Sequence, residues 1–191
     1  YEFSGKISNA SINLTKEFSI KDMTTEINYG KEIENDGFTA VIKKGTLFDV
    51  KLTDSIINLK REENKTKVKG VLRTNGALNF SQIKKISSLF ALNITPFKDI
   101  NCIADLRTNI NFDFDKKLKI KNLSYSMAGD ISYLKIHTNE KKIIKKYLPE
   151  YDPIIILKDT NIKLTNSESD QIVELNGLIK IKTKFDSFKI K

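Results

Sequence analysis

The sequence predicts a mainly β protein: long antiparallel strands in a tall, curved sheet, with one short amphipathic helix. Three observations predict it. From Gln171 to Phe185, Val173, Leu175, Gly177, Ile179, Ile181, Thr183 and Phe185 fall on one side, while Glu174, Asn176, Lys180, Lys182 and Lys184 fall on the other, with Leu178 the exception. Successive strand side chains point to opposite faces, so this reads as one strand with an apolar face and a wet one, spanning roughly 50 Å at ~3.3 Å per residue. A second period-two run sets Leu106, Thr108, Ile110, Phe112 and Phe114 against Arg107, Asn109, Asn111 and Asp113. Between Phe80 and Phe90 the apolar spacing becomes helical.

In order along the chain, Phe3 to Leu14 reads as a strand whose parity slips near Asn9 and Ala10, as a β-bulge causes. Phe18 to Ile20 and Ile27 to Tyr29 are short strand candidates, and Tyr29 to Gly37 is a charged turn region. Phe38 to Lys43, Leu47 to Leu52 and Ile56 to Lys60 form a meander, with Gly45 as a turn residue. A charged loop from Arg61 to Lys67 precedes a strand from Val68 to Thr74, and Asn75-Gly76 leads to the helix, expected over about 79–92. Its apolar stripe is Phe80, Ile83, Ile86 and Phe90, with Asn79 as N-cap and Gln82 in the capping-box position. Strands resume at Ile100. Asp115 to Lys117 is a turn, Leu118 to Met127 and Ile131 to Ile136 are strands separated by Ala128-Gly129-Asp130, and Asn139 to Leu148 is a weak helical segment. After Pro149 and Pro153 come a strand from Ile154 to Leu164, a turn from Asn166 to Asp170, and the long closing strand. A short pattern recurs at Asn9, Asp54, Asn122 and Asp159: Asx, then residues of one strand face at +3 and +5. An Asx side chain there would satisfy local backbone at a bulge or strand entry. The copies are irregularly spaced, so they do not form a solenoid.

Composition excludes several function classes. The net charge is +9, but it comes almost wholly from lysine that alternates along strands, with Arg61, Arg73 and Arg107 the only arginines. That is the pattern of a solvated sheet face rather than of a nucleic-acid surface, which needs Arg and aromatic residues interleaved on one face. Cys102 is the single cysteine and reads as a small buried hydrophobe. His137 is the single histidine; a triad or a His-based metal site would need other partners, and on the strand-like Lys135–Thr138 it reads as structural or exposed. The carboxylates at Glu32, Glu34 and Asp36, and at Glu168 and Asp170, fall in turns. The eight glycines are scattered rather than gathered in a phosphate loop. Tyr133, Tyr147 and Tyr151 read as scattered surface aromatics. No catalytic group, cofactor or metal is expected. No stretch of about 18 apolar residues is present. The chain begins Tyr-Glu-Phe and ends in strand-like sequence, so it is expected to be a single segment, 1–191, of a longer protein.

Three stretches resemble the AsmA-like family of bacterial bridge-like lipid transport proteins (the AsmA, TamB and YhdP types). They are the phrase from Gly5 to Leu14, the run from Asp36 to Gly45 leading to Thr53–Leu59, and Gly70 followed by Asn75-Gly76, the helix and long alternating strands. The order of elements is similar to the β-rich central region of that family, over about residues 3–190. The resemblance implies a half-open, taco-like β-groove with an apolar concave face. It also implies a parent protein anchored at the inner membrane and extending through the periplasm, and passage of phospholipid toward the outer membrane in support of outer-membrane integrity. The family's N-terminal anchor and C-terminal portion are not in this sequence. The candidate groove residues are Leu106, Ile110, Phe112, Phe114, Val173, Leu175, Ile179, Ile181 and Phe185, acting by hydrophobic contact alone. The partner is then the acyl chains of phospholipid or a similar amphiphile. The same alternation would also serve a closed β-sandwich of a structural or adhesin type. An outer-membrane barrel is disfavoured by the helix and by the absence of aromatic girdles.

Overall fold

The computed structural model describes residues 2–13, 19–30, 37–89, 93–117, 119–139, 152–166, 171–181 and 183–191. It contains β1 (Phe3–Asn13), β2 (Ser19–Gly30), β3 (Gly37–Leu47), β4 (Val50–Arg61), β5 (Lys65–Leu78), α1 (Phe80–Leu89), β6 (Phe97–Asp115), β7 (Ile120–Thr138), β8 (Ile154–Asn166), β9 (Gln171–Ile181) and β10 (Lys184–Ile190). All ten strands belong to one sheet in sequence order, every neighbouring pair antiparallel, with β1 and β10 as edges. The sheet is open, not closed into a barrel. The chain exposes 12964 Å², whereas a compact monomer of 21.8 kDa would expose about 9,300 Å². An excess of that size suits a sheet without a second layer.

Register partners across an antiparallel pair share a face, so the apolar face can be followed from strand to strand. Its deepest part is a cluster of Ile20, Met23, Ile42, Leu47, Leu52 and Leu72 on β2 to β5, with Ala10, Ile57 and Ile110 packed against it. Leu52 is fully buried. Side chains on a flat, uncovered sheet keep one side open to water, so burial this complete suits a sheet curled over its own face, with α1 docked at the same end.

The curl is built with bulges. Asn9, Asp22, Asp54, Asn122 and Asp159 all have φ between 44° and 53°, and each lies at a register shift in its ladder. Left-handed φ is uncommon outside glycine, with Asn and Asp favoured among the rest, and a bulge bends its strand and increases its twist. Four of these residues are the Asx positions of the recurring sequence pattern; Asp22 is a fifth. The expected reason is corrected, however. The Asn9, Asp22, Asp54 and Asp159 side chains make no hydrogen bond among the described residues, and at Asp54 and Asp159 it is the following residue that bonds the backbone. Ser55 Oγ donates to Thr53 O (3.3 Å) and accepts from Arg73 N–H (2.9 Å). Thr160 Oγ1 donates to Lys158 O (2.9 Å). Both residues are fully buried.

Several sequence boundaries move for identifiable reasons. The two short candidates around residue 20 and residue 28 form one strand, β2, because the bulge at Asp22 breaks their parity. Gly45 lies inside β3, not in a turn; the turn is Phe48-Asp49, both at positive φ (53° and 64°), a two-residue hairpin made without glycine. Asn75-Gly76 lies within β5, and Ala128-Gly129-Asp130 within β7, which is one strand of 19 residues. Gly129 is required there because a Cβ would fall on the Asp105 carbonyl. The charged loop narrows to residues 62–64. The closing strand is two strands: β9 ends at Ile181 and the chain reverses into β10. Lys182 and Thr183 offer no Gly, Asn or Pro signal for that reversal. The segment from Asn139 to Leu148 lies, after Asn139, outside the described residues, as do residues 31–36 of the charged turn region.

The helix spans Phe80–Leu89 and carries the expected capping box: Gln82 N–H donates to Asn79 Oδ1 (3.1 Å) and Asn79 N–H to Gln82 Oε1 (2.8 Å). Gln82 Nε2 also donates to Phe48 O (3.0 Å). That bond and the contact with β6 hold the helix at the end of the sheet where β3 turns into β4.

Candidate functional site

The candidate site is the apolar face of the sheet. On β6, Leu106, Ile110, Phe112 and Phe114 lie on that face, half-buried. Phe112 and Phe114 stack edge to face with ring centroids 5.0 Å apart, a geometry worth about 0.5–1.5 kcal/mol beyond burial. On β9, Val173, Leu175, Ile179 and Ile181 lie on the same face, Val173 37% and Ile181 52% exposed. Register connects the two groups in one row: Leu106 pairs with Gly129, Gly129 with Ile162, and Ile162 with Leu175. Three strand spacings separate β6 from β9, about 14 Å, so the two groups tile one surface without touching each other.

Phe185 is the exception and corrects the sequence reading. Because the chain reverses after Ile181, Ile181 pairs with Lys184 and Phe185 pairs with Lys180. Phe185 therefore lies on the wet face, where Lys158 Nζ sits 4.9 Å from its ring centroid. On β10, Lys184, Asp186, Phe188 and Ile190 pair with Ile181, Ile179, Gly177 and Leu175, so at this edge the apolar face gains an aromatic ring and two charges of opposite sign.

Sequence reasoning passed over the deepest part of the face, Ile20, Met23, Ile42, Leu52 and Leu72. On β2 and β4 a bulge shifts the apolar residues by one position, so no period-two run is visible across it. The signal available was the Asx residue itself. The residue at +1 and those at +3 and +5 return to one face, as Met23, Thr25 and Ile27 do after Asp22.

Three buried hydroxyls on the apolar face bond backbone. Thr25, fully buried, donates from Oγ1 to Val41 O (3.1 Å), and the Ser55 and Thr160 hydroxyls bond backbone as described. Cys102, on the same face, is a thiol pushed up to about 11 by burial. Titration is otherwise concentrated on the wet face at the end of the sheet where β4 turns into β5 and β6 into β7. Asp113 accepts from Lys65 Nζ (2.9 Å) and from Asn122 Nδ2 (2.8 Å). The Lys65 bond above all, then Asn122, holds its carboxyl below the usual carboxylate range. Glu62, bonded to Lys67 (2.7 Å), is likewise held low, and Lys67 is raised by the same bond. Asp115 is lowered by the backbone N–H groups of Lys119 and Lys117, which it accepts at 2.9 and 2.8 Å. These are structural ties across hairpins, with no nucleophile or base beside them.

Among the described residues no three His, Cys, Asp or Glu side chains gather as metal ligands, and no helix is long and apolar enough to cross a membrane. Two surface concavities, of about 230 and 240 Å³, are bordered mainly by Asn161, Lys163, Glu174 and Asn176 and by Asp49, Lys51 and Asn75. Neither assembles an acid–base pair. No protein-family model, no curated protein and no solved structure matches the chain.

Proposed function

We propose that this chain is a segment of a hydrophobic groove that carries phospholipid, or a similar amphiphile, across the periplasm between the inner and outer membranes, within an AsmA-like parent protein anchored at the inner membrane. The observation that carries the reading is the open ten-stranded sheet with an apolar face running from β1 to β9. The resemblance of the sequence to the AsmA-like β-body points the same way. Each methylene taken from water stabilises the bound state by about 0.8 kcal/mol. A sixteen-carbon chain half-covered by an open face therefore gains roughly 6 kcal/mol per chain, with no specific polar contact. Binding of that size holds a lipid yet lets it slide. A closed sandwich of the structural or adhesin type needs a second sheet against this face, and the ten strands make only one.

The test is to purify the chain and identify bound lipid by mass spectrometry, then to place a photo-crosslinking residue at Leu175 on the apolar face or at Ser187 on the wet face. Crosslinks to phospholipid at Leu175 and none at Ser187 are expected; equal labelling of both, or none, removes the reading. Ile179→Lys is the better blocking variant. Ile110 packs on the buried cluster and over Gly70, where even a Cβ would lie 3.0 Å from Ile110 Cγ1, so Ile110→Asp would damage the fold as well as the surface. Ile179→Lys should reduce co-purified lipid severalfold with the sheet retained by circular dichroism.

A further inference from the structure

The apolar face ends, where β4 turns into β5 and β6 into β7, in a rim with a strong excess of positive charge. Residues 60–67 and 113–121 carry eight lysines and arginines against four acids. Three of those acids are tied down: Glu62 by Lys65 and Lys67, Asp113 by Lys65, and Asp115 by backbone N–H groups. Arg61, Lys116, Lys117, Lys119 and Lys121 are exposed and make no ion pair among the described residues. Arg61 also lies on the apolar face itself. It pairs with Thr66, and Thr66 pairs with Phe114, so a guanidinium marks the end of the row that holds the Phe112–Phe114 stack. An apolar floor that stops at aromatic rings beneath a free cationic border is complementary to an amphiphile with hydrocarbon chains and a negative head.

We propose that this rim receives the headgroup of the lipid whose chains lie on the apolar face, and that the groove prefers lipids of net negative charge over zwitterionic ones. This rests on the groove reading above and adds to it the class of headgroup. Chains of equal length gain equally from the floor, so the head decides. The amine of a zwitterionic head cancels the attraction that the phosphate exerts on the lysines; a phosphatidylglycerol head has no such amine. Lys121, paired with Asp113, faces the wet side; the other four free cations, Arg61, Lys116, Lys117 and Lys119, set about 7 Å from one extra charge in water at physiological salt, give a preference of about fivefold.

The experiment compares phosphatidylglycerol and phosphatidylcholine with identical fluorescent chains, titrated as monomers into the purified chain. The wild type should bind the first about fivefold more tightly in 0.15 M salt, and the difference should vanish in 1 M salt, where screening acts within about 3 Å. In the triple variant Lys116→Ser, Lys117→Ser, Lys119→Ser, which changes only exposed residues around a turn, the preference should fall toward one while phosphatidylcholine binding is unchanged. Inorganic phosphate at 10 mM should displace neither lipid. Equal affinities for the two lipids, a preference that survives the triple variant, or displacement by phosphate overturns the headgroup assignment and leaves the groove intact. Failure to bind either lipid removes the groove reading, and this inference with it.

Discussion

Asp54 offers a clean measure of how the sheet is curled. Its φ is 44°, its side chain is exposed and makes no hydrogen bond among the described residues, and it lies at the register shift between β4 and β5. Replacing it therefore removes almost no contact and tests the backbone alone. Asp54→Gly should lie within about 0.5 kcal/mol of wild type, since glycine enters the left-handed region freely but loses more freedom on folding. Asp54→Ala should cost about 1 kcal/mol, and the β-branched Asp54→Val about 2 kcal/mol. With a urea dependence near 2 kcal/mol per molar, the midpoint should fall by about 0.5 M for alanine and about 1 M for valine, with the slope unchanged. Urea unfolding followed by circular dichroism measures this directly. If glycine falls as far as valine, backbone handedness is not what selects Asp here, and the account of the bulges is wrong.

Two further outcomes follow from the titrating groups. The Asp113 carboxyl is held below its ordinary value, so its contribution to stability is fully present above the unfolded value of about 3.9 and is lost as pH falls through the lower folded value. Asp113→Asn should destabilise by about 1 kcal/mol at pH 7, and urea midpoints of the two proteins should converge below pH 4; a constant gap would refute the tie to Lys65. Cys102, with its thiol at about 11, should react with a thiol reagent at pH 8 roughly a hundredfold more slowly in the native chain than in urea, because the thiolate is the reacting form. Comparable rates would show that the β6 region opens readily.

The fold class was legible because two strands, β6 and β9, alternate without interruption on the face that the sequence assigns, and because α1 changes the period and brings its own cap. Phe185 was misplaced because the chain reverses between Ile181 and Lys184 without a Gly, Asn or Pro in the sequence to announce it, and the alternation runs on as if the strand continued. The core of β2 to β5 was hidden for the opposite reason: Asp22 and Asp54 shift the phase inside a continuous strand, so continuous structure looks broken. Gly45 and Gly129 misled in the same sense, standing inside strands where close approach of a neighbouring chain, rather than a turn, asks for hydrogen in place of a side chain. The candidate surface was half legible. Its β6 and β9 portions were read directly, and its deepest portion was recoverable only by treating each Asx residue as a change of phase.

Long strands with a repeating in–out alternation carry a hazard of their own: a shift by two residues restores every side chain to its proper side and is hard to reject. The kinks act here as the teeth of a key. Thr160 projects from its strand into the space left by Gly177, where any Cβ would collide with it; a two-residue slide would bring Leu175 or Ile179 to that spot, and neither fits. The bulges at Asn9, Asp22, Asp54 and Asn122 work against a slide of β1, β2, β4 and β7 as well, because each fixes the point of its ladder at which the phase changes.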